Sequence, residues 1–199
     1  MNHLSDFDEL LNRYFIMRHG HSQANQQGVI VSHPDNGITQ YGLSDNGRAQ
    51  VAASLQQASA FDSETLIVSS DFRRARETAE MAHAALACNR PVRFEPRLRE
   101  RDFGEFELGT DDAYAEVWRE DIRRPEVRYR GVEIASQVMA RVTALIVDYE
   151  QKFSGRDILV ISHGDALQIL QTAFARKPAA AHRSQQHLQT AEIRQLLLP

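Results

Sequence analysis

Three short apolar runs each break off into polar sequence, and that repetition constrains the fold more than anything else in the chain. Tyr14 to Met17 leads into Arg18-His19-Gly20, Thr65 to Val68 into Ser69-Ser70, and Ile158 to Ile161 into Ser162-His163-Gly164. Runs of this length bounded by polar residues suit buried strands rather than helices. Between them the spacing turns helical. Ser44 reads as the N-cap of a helix reaching about Ala58, with Ala49, Ala52, Ala53 and Leu55 on its apolar or small positions. Asp71 reads as the cap of a helix carrying Ala75, Thr78, Ala79, Ala82 and Leu86. Val138, Val142, Leu145, Ile146 and Tyr149 share one face of a long helix from Ala135 to Phe153, and a last helix is expected from about Asp165. Pro91 to Phe94 and Ile193 to Leu198 add two further strands. Strands joined by helices make βαβ units. The expected fold is therefore α/β, a three-layer αβα domain around a mostly parallel central sheet.

At 199 residues the chain suits one domain, 1–199, with room for a small insertion. No repeat, low-complexity tract or linker divides it. A formal net charge of −4 argues against broad electrostatic binding to nucleic acid or to an anionic membrane. No apolar run approaches the roughly 20 residues of a membrane helix, and the first dozen residues lack the pattern of a secretory signal. Cys88 is the only cysteine, so neither an intrachain disulfide nor a cysteine-based zinc cluster can form. A cytoplasmic domain is expected, with no nucleic-acid or membrane partner. Nothing in the sequence sets an oligomeric state.

In parallel α/β sheets, ligands bind beyond the carboxyl ends of the strands. The three polar strand ends should therefore meet, bringing Arg18, His19, Arg73, Arg74, Arg76 and His163 to one place. Such a pocket is strongly cationic within an acidic protein. Its natural guest is a phosphoryl group, whose oxygens match guanidinium forks. The chain holds no GxxxxGK[ST], no GxGxxG and no HExxH, so neither a cofactor nor a catalytic metal is expected, and the protein's own cations must offset the phosphoryl charge. A competing reading groups His19, His21, His163 and Asp165 as nitrogen and oxygen ligands of a metal, against the repulsion of the adjacent arginines.

RHGHSQAN at 18–25 resembles the RHG signature of the histidine phosphatase superfamily, the phosphoglycerate mutase-like fold. LSDNG at 43–47, SSDFRRARETA at 69–79, LRERDFGEFE at 98–107, SHG at 162–164 and AEIRQL at 191–196 resemble its further motifs, in family order along nearly the whole chain. The resemblance implies a metal-independent phosphomonoester hydrolase acting on a small phosphorylated metabolite. His19 would be the nucleophile that becomes a phosphohistidine. Arg18, Arg74 and His163 would hold the phosphoryl oxygens, with Asn25 in support. Glu100 would protonate the leaving oxygen and then activate water. Arg74 aligns with the family arginine because it immediately precedes Ala75. These roles also make physical sense. Cations beside His19 favour its neutral, attacking form, and a dianionic substrate favours a protonated Glu100.

Two positions depart from the family pattern. His21 stands where Glu is usual, and the common Glu-Ser pair before the long helix reads Glu133-Ile134. Substrate groups beyond the phosphate could touch either, and His21, Ser22 and Arg101 are the candidate specificity residues. A helical cap is expected at about 105–135. Its charged segment, with Arg119, Arg123, Arg124, Arg128 and Arg130, is either a solvated surface or a source of a guanidinium for a second anionic group. Tyr114 and Trp118 read as cap packing, and Cys88 as a small hydrophobe. His33, His83, His182 and His187 have no role readable from sequence. Only 62 residues lie between Glu100 and His163, a spacing like that of the compact phosphatases. Two alternatives stay open: phosphoglycerate mutase-type transfer, and a phosphoester-binding module without catalysis.

Overall fold

The computed structural model describes residues 1–199 and contains one five-stranded sheet. Strands β1 (Arg13–Arg18), β2 (Leu66–Ser69), β3 (Arg93–Phe94), β4 (Asp157–Ser162) and β5 (Ile193–Leu196) lie in the order β3-β2-β4-β1-β5. All neighbours are parallel except the edge strand β5, which runs antiparallel to β1. Arg18 pairs with Ser162 and Ser69 with Ile161, so the three central strands end at nearly one level. The two flanking strands are shorter than their apolar stretches. Only Arg93 and Phe94 reach a partner on one side, and pairing stops at Leu196 on the other.

Seven helices follow in chain order: α1 (Gln23–Gln27), α2 (Pro34–Gly37), α3 (Asp45–Gln56), α4 (Arg73–Ala85), α5 (Tyr114–Arg123), α6 (Ala135–Lys152) and α7 (Gly164–Phe174). Alternate strand residues supply the two faces of the sheet, as the period of two requires. Tyr14, Ile16, Val68, Ile158 and Val160 pack with Val138, Val142, Leu145 and Leu167 of α6 and α7. Phe15, Met17, Ile67, Leu159 and Ile161 pack with Val51, Leu55, Ala75 and Ala79 of α3 and α4. Each fully buried Ile, Leu or Val stabilises this arrangement by roughly 1.5–3 kcal/mol. The result is the three-layer αβα architecture.

Helix starts differ in detail from the expectation. Ser44 caps α3, its Oγ accepting from the Gly47 N–H at 3.1 Å. Asp71 does not cap α4, whose first turn has Phe72 at the N-cap and no side-chain cap. Its carboxylate instead takes a two-pronged ion pair from Arg99, at 2.8 and 2.6 Å. Ile134, standing where the family has Ser, likewise leaves α6 without a side-chain cap. That omission costs on the order of 1 kcal/mol.

The stretch between β3 and α6 holds short 3₁₀ turns at Gly104–Phe106, Asp111–Ala113 and Tyr129–Gly131 around α5. It has a small core of its own in Phe103, Phe106, Val117 and Val132, completed by Ile30 from the β1–α3 connection.

Candidate active site

At the end of β1, the backbone N–H of His19 still bonds the Ser162 carbonyl at 3.0 Å, so the imidazole is held by the sheet itself. The next turn is wedged against α3. A Cβ on Gly20 would lie 2.6 Å from the Gly47 carbonyl oxygen, and one on Gly47 would lie 1.9 Å from that of His21. Only glycine at both positions allows α3 to approach the loop so closely.

The His19 Nδ1 lies 2.8 Å from its neighbour's carbonyl, Gly20 O, and so carries the proton that it donates there. Nε2 is then the nitrogen with the lone pair, and it accepts from Arg74 Nε at 3.0 Å. Arg74, from the first turn of α4, is itself buried and donates from Nη2 to the Val31 carbonyl at 2.8 Å. Burial, then the charges of Arg74 and Arg18, push the His19 imidazole well below its ordinary range.

His163 stands at the N-cap position of α7 without a side-chain cap bond, and sits against His19, ring centroids 5.1 Å apart. Its Nε2 meets Ser70 Oγ, at the end of β2, at 2.8 Å. Burial and then Arg74 also hold this imidazole neutral. Arg18 Nη1 donates to His187 Nε2 at 2.8 Å and to the Leu188 carbonyl at 3.0 Å. Three polar atoms in this group are buried without any partner: Arg18 Nε, Arg74 Nη1 and His163 Nδ1. Unmet buried donors are costly, and an anion with several oxygens would satisfy them together.

Glu100 completes the group. Its Oε1 accepts from the backbone N–H groups of Arg101 (2.9 Å) and Ala166 (3.2 Å). Burial, then the charge of Asp165, raise its pKa above the ordinary carboxylate range. Beside it opens a polar cavity of about 280 Å³, whose lining includes Ser32, Arg99, Asp102, Arg128, Glu133 and Arg141.

His19, Arg18, Arg74, His163 and Glu100 thus come from four separate stretches of chain to one place. Arg73 and Arg76 do not join them. Arg73 turns outward to Glu77 and the Thr39 carbonyl, and Arg76 lies over Phe94. Asn25 is exposed, and its Oδ1 accepts from the Ser22 backbone N–H and Oγ–H, a capping box for α1. Ser22 is fully buried in that cap, and His21 Nδ1 faces Ser44 Oγ at 2.9 Å. Both organise the loop.

Arg101 lies away from the place a specificity residue would take. It is 1% exposed and bonded by both terminal nitrogens to Asp121 at 2.7 Å, with Nε on the Glu133 carbonyl. Those contacts occupy the donors that a substrate would need. In the cap, Arg123 and Arg124 pair with Glu120, and Arg130 with Glu105. Arg128 alone of the segment lines the cavity beside Glu100, bonded only to Gln137. Glu133 is held by Arg141.

The grouping of His19, His21, His163 and Asp165 as metal ligands fails on geometry. His21 turns to Ser44 and Asp165 to the cap, and no three His, Cys, Asp or Glu side chains gather as a metal would require.

Ser70 and His187 were not readable as site residues. Ser70 stands at a strand end already marked as functional, whereas His187 reaches Arg18 across 169 positions with no local trace in the sequence.

Residues 14–198 match the family model of the histidine phosphatase superfamily, branch 1. The protein named Probable phosphoglycerate mutase GpmB from Salmonella choleraesuis is 31% identical over 174 residues, covering 85% of this chain and 77% of its own. The Citrobacter koseri protein of the same name is 32% identical at the same coverage. Among solved structures, a mycobacterial glucosyl-3-phosphoglycerate phosphatase complexed with VO3 superposes with a TM-score of 0.75 at 26% identity, covering 92% of this chain and 90% of that one. An alpha-ribazole phosphatase from Shigella flexneri shares the fold, with a TM-score of 0.71 at 23% identity, covering 91% of this chain and 88% of its own. With the match running through all five strands and every residue of the group around His19, the chain belongs to branch 1 of the histidine phosphatase superfamily, as one of its enzymes.

Proposed function

We propose that this enzyme hydrolyses phosphomonoesters of small polar metabolites through a phosphohistidine at His19, without a metal. One observation carries it. The His19 lone pair stands in a buried group where Arg18, Arg74 and His163 hold unpartnered polar atoms, the complement of a tetrahedral anion.

In the first step Nε2 attacks phosphorus, the N–P bond forms and the ester P–O bond breaks. The departing oxygen takes a proton from the Glu100 carboxyl. In the second, the Glu100 carboxylate takes a proton from water as its oxygen attacks phosphorus. The N–P bond breaks, and inorganic phosphate leaves. The charge that grows on the equatorial oxygens is met by guanidinium groups already in place. Asn25, whose Oδ1 is taken up in the cap of α1, would support the same oxygens through its amide N–H groups. The polar lining of the cavity beside Glu100 supports a hydroxylated or carboxylated leaving group. The glucosyl-3-phosphoglycerate named in the mycobacterial relative falls within that class. The proposal places the reaction in the cytoplasm, in keeping with a chain of one cysteine.

The relatives named as phosphoglycerate mutases favour a second reading, transfer of the phosphoryl group to an acceptor. One experiment addresses both. The native enzyme is given a short pulse of labelled substrate, separated rapidly from it and offered phosphoglycerate in water, the label being read after an alkaline quench that phosphohistidine survives. Release of inorganic phosphate at an unchanged rate supports hydrolysis, and transfer to phosphoglycerate supports the mutase. Full turnover by His19→Ala, or turnover lost on chelation and restored by a divalent metal, would overturn the proposal.

A further inference from the structure

Asp165 is a buried carboxylate with no part in the steps above. It is 4% exposed, in the first turn of α7, two residues beyond His163. Its oxygens accept from the Trp118 Nε1–H at 3.1 and 3.2 Å. Arg101 Nη1 stands 3.4 Å away, and Arg183 Nη1 and His182 Nε2 each 3.9 Å. Arg183 also lies 3.6 Å over the Trp118 ring, and Arg101 is tied to Asp121 of α5. Trp118 of the cap, Arg101 of the 98–104 connection and Arg183 of the 179–184 turn therefore converge on one aspartate, with the His182 ring beside them.

The same residues hold Glu100. The two N–H groups that bond Glu100 Oε1 belong to Arg101, whose guanidinium reaches Asp165, and to Ala166, which follows Asp165. With Oε1 taken by two donors, a proton on Glu100 belongs on Oε2, which has no donor on it. We propose that Asp165 is a positioning residue for the proton donor: its fixed negative charge, pinned through Trp118 and Arg101, holds the Glu100 carboxyl protonated until the leaving oxygen takes the proton. This rests on the assignment of Glu100 as that donor.

The neighbouring charges are consistent with it. The Arg101 and Ala166 N–H groups, Arg74 of α4 and Arg18 of β1 oppose protonation of Glu100, as does Arg141 of α6, which bonds the Glu100 carbonyl at 3.2 Å. Arg141 is itself neutralised by Glu133. Tyr114 of α5 is held un-ionised by burial, and His19 and His163 are neutral. Asp165 is the buried anion that works against those arginines, while Asp102 and Glu133 line the cavity on the other side together with Arg99 and Arg128. Burial opposes its charge, but Arg101, the Trp118 indole and Arg183 keep it ionised. Burial holds His182 itself low, so the compensating charge comes from Arg101 and Arg183. Two adjacent carboxyls pushed in opposite directions is the pattern of an acid and the group that tunes it.

The test is the pH dependence of kcat on an alkyl phosphate, whose leaving oxygen needs the proton, in the wild type, Asp165→Asn and Glu100→Gln. Asp165→Asn is expected to move the alkaline limb about one pH unit toward acid while leaving the plateau within about threefold. Asp165→Ser, with room for water beside Arg101, is expected to do the same, and Asp165→Glu to keep the limb in place. An unmoved limb, an equal loss at every pH, or failure of both neutral variants to fold would make Asp165 structural and overturn the proposal. Glu100→Gln separates the two layers. If it keeps the wild-type limb, the assignment of Glu100 has failed. If it abolishes the limb while Asp165→Asn leaves it unmoved, only the role of Asp165 has.

Discussion

Arg74 Nε lies 3.0 Å from His19 Nε2, so the nitrogen assigned to attack is also the acceptor of a guanidinium hydrogen. A proton on Nε2 would have to displace that donor and sit between two cations in a buried site. The imidazole therefore stays neutral below the ordinary histidine range near 6.5. For an activated aryl phosphate, kcat/KM is expected to remain on its plateau to pH values below 6.5. A profile that rises only above neutrality would contradict the neutral nucleophile.

The same depression has a cost in stability. Below about pH 6.5 the unfolded chain takes up protons on His19 and His163 that the folded chain refuses, so stability falls as the pH drops through that window. Urea unfolding midpoints measured between pH 7.5 and 5.5 should decline. Replacing His163 with Gln should flatten the decline.

Arg74→Gln should act twice. Losing the guanidinium removes transition-state stabilisation, with an expected fall in kcat of about 10²–10³-fold. It also removes the nearest cation from His19, so the acid limb of kcat/KM should move to higher pH. Arg74→Lys should restore the position of the limb more than the rate, because an ammonium supplies charge without the fork. Equal recovery of both would count against the fork.

What the sequence made legible followed from local chemistry. Periodicity placed β1, β2 and β4 and the helices between them, and the rule for parallel sheets brought their polar ends together. The misreadings lie where a distant partner decides. Asp71 has every local quality of an N-cap, yet Arg99 captures it from 28 positions away. Arg101 follows Glu100 directly and could face a substrate, until Asp121 of the cap and Asp165 of α7 close around it. Pro91 and Val92 are apolar enough for a strand but have no partner in the sheet, so β3 is two residues long.

The Arg101–Asp121 pair ties α5 to the connection that carries Glu100, with side chains only 2% and 9% exposed. Breaking a buried pair by removing one partner leaves the other charge uncompensated, at a cost of about 3–5 kcal/mol. Arg101→Met strands Asp121 and Asp165 together and should reach the upper end. Asp121→Asn, which keeps one acceptor oxygen for Arg101 and leaves Asp165 beside it, should cost less. Denaturant unfolding of the two variants gives the order, and the reverse order would mean that the cap does not depend on this clamp.

Gly47 offers the sharpest steric prediction. Its ideal Cβ would sit 1.9 Å from the His21 carbonyl oxygen and 2.8 Å from the His21 N, both of them backbone atoms that no rotamer change can move. Gly47→Ala must therefore push α3 away from the loop that carries His19, and overpacking of this kind costs about 1–3 kcal/mol or more. Gly155 supplies the control. It has a φ of +67° with nothing within 4 Å of its Cβ, so Gly155→Ala costs backbone strain of about 1–2 kcal/mol and touches nothing near the site. Both variants should unfold at lower urea, but only Gly47→Ala should also lose kcat, because the displaced loop takes the His19 Nε2 out of line with the pocket. Equal activity in the two would show that the loop holds its place without the close approach of α3.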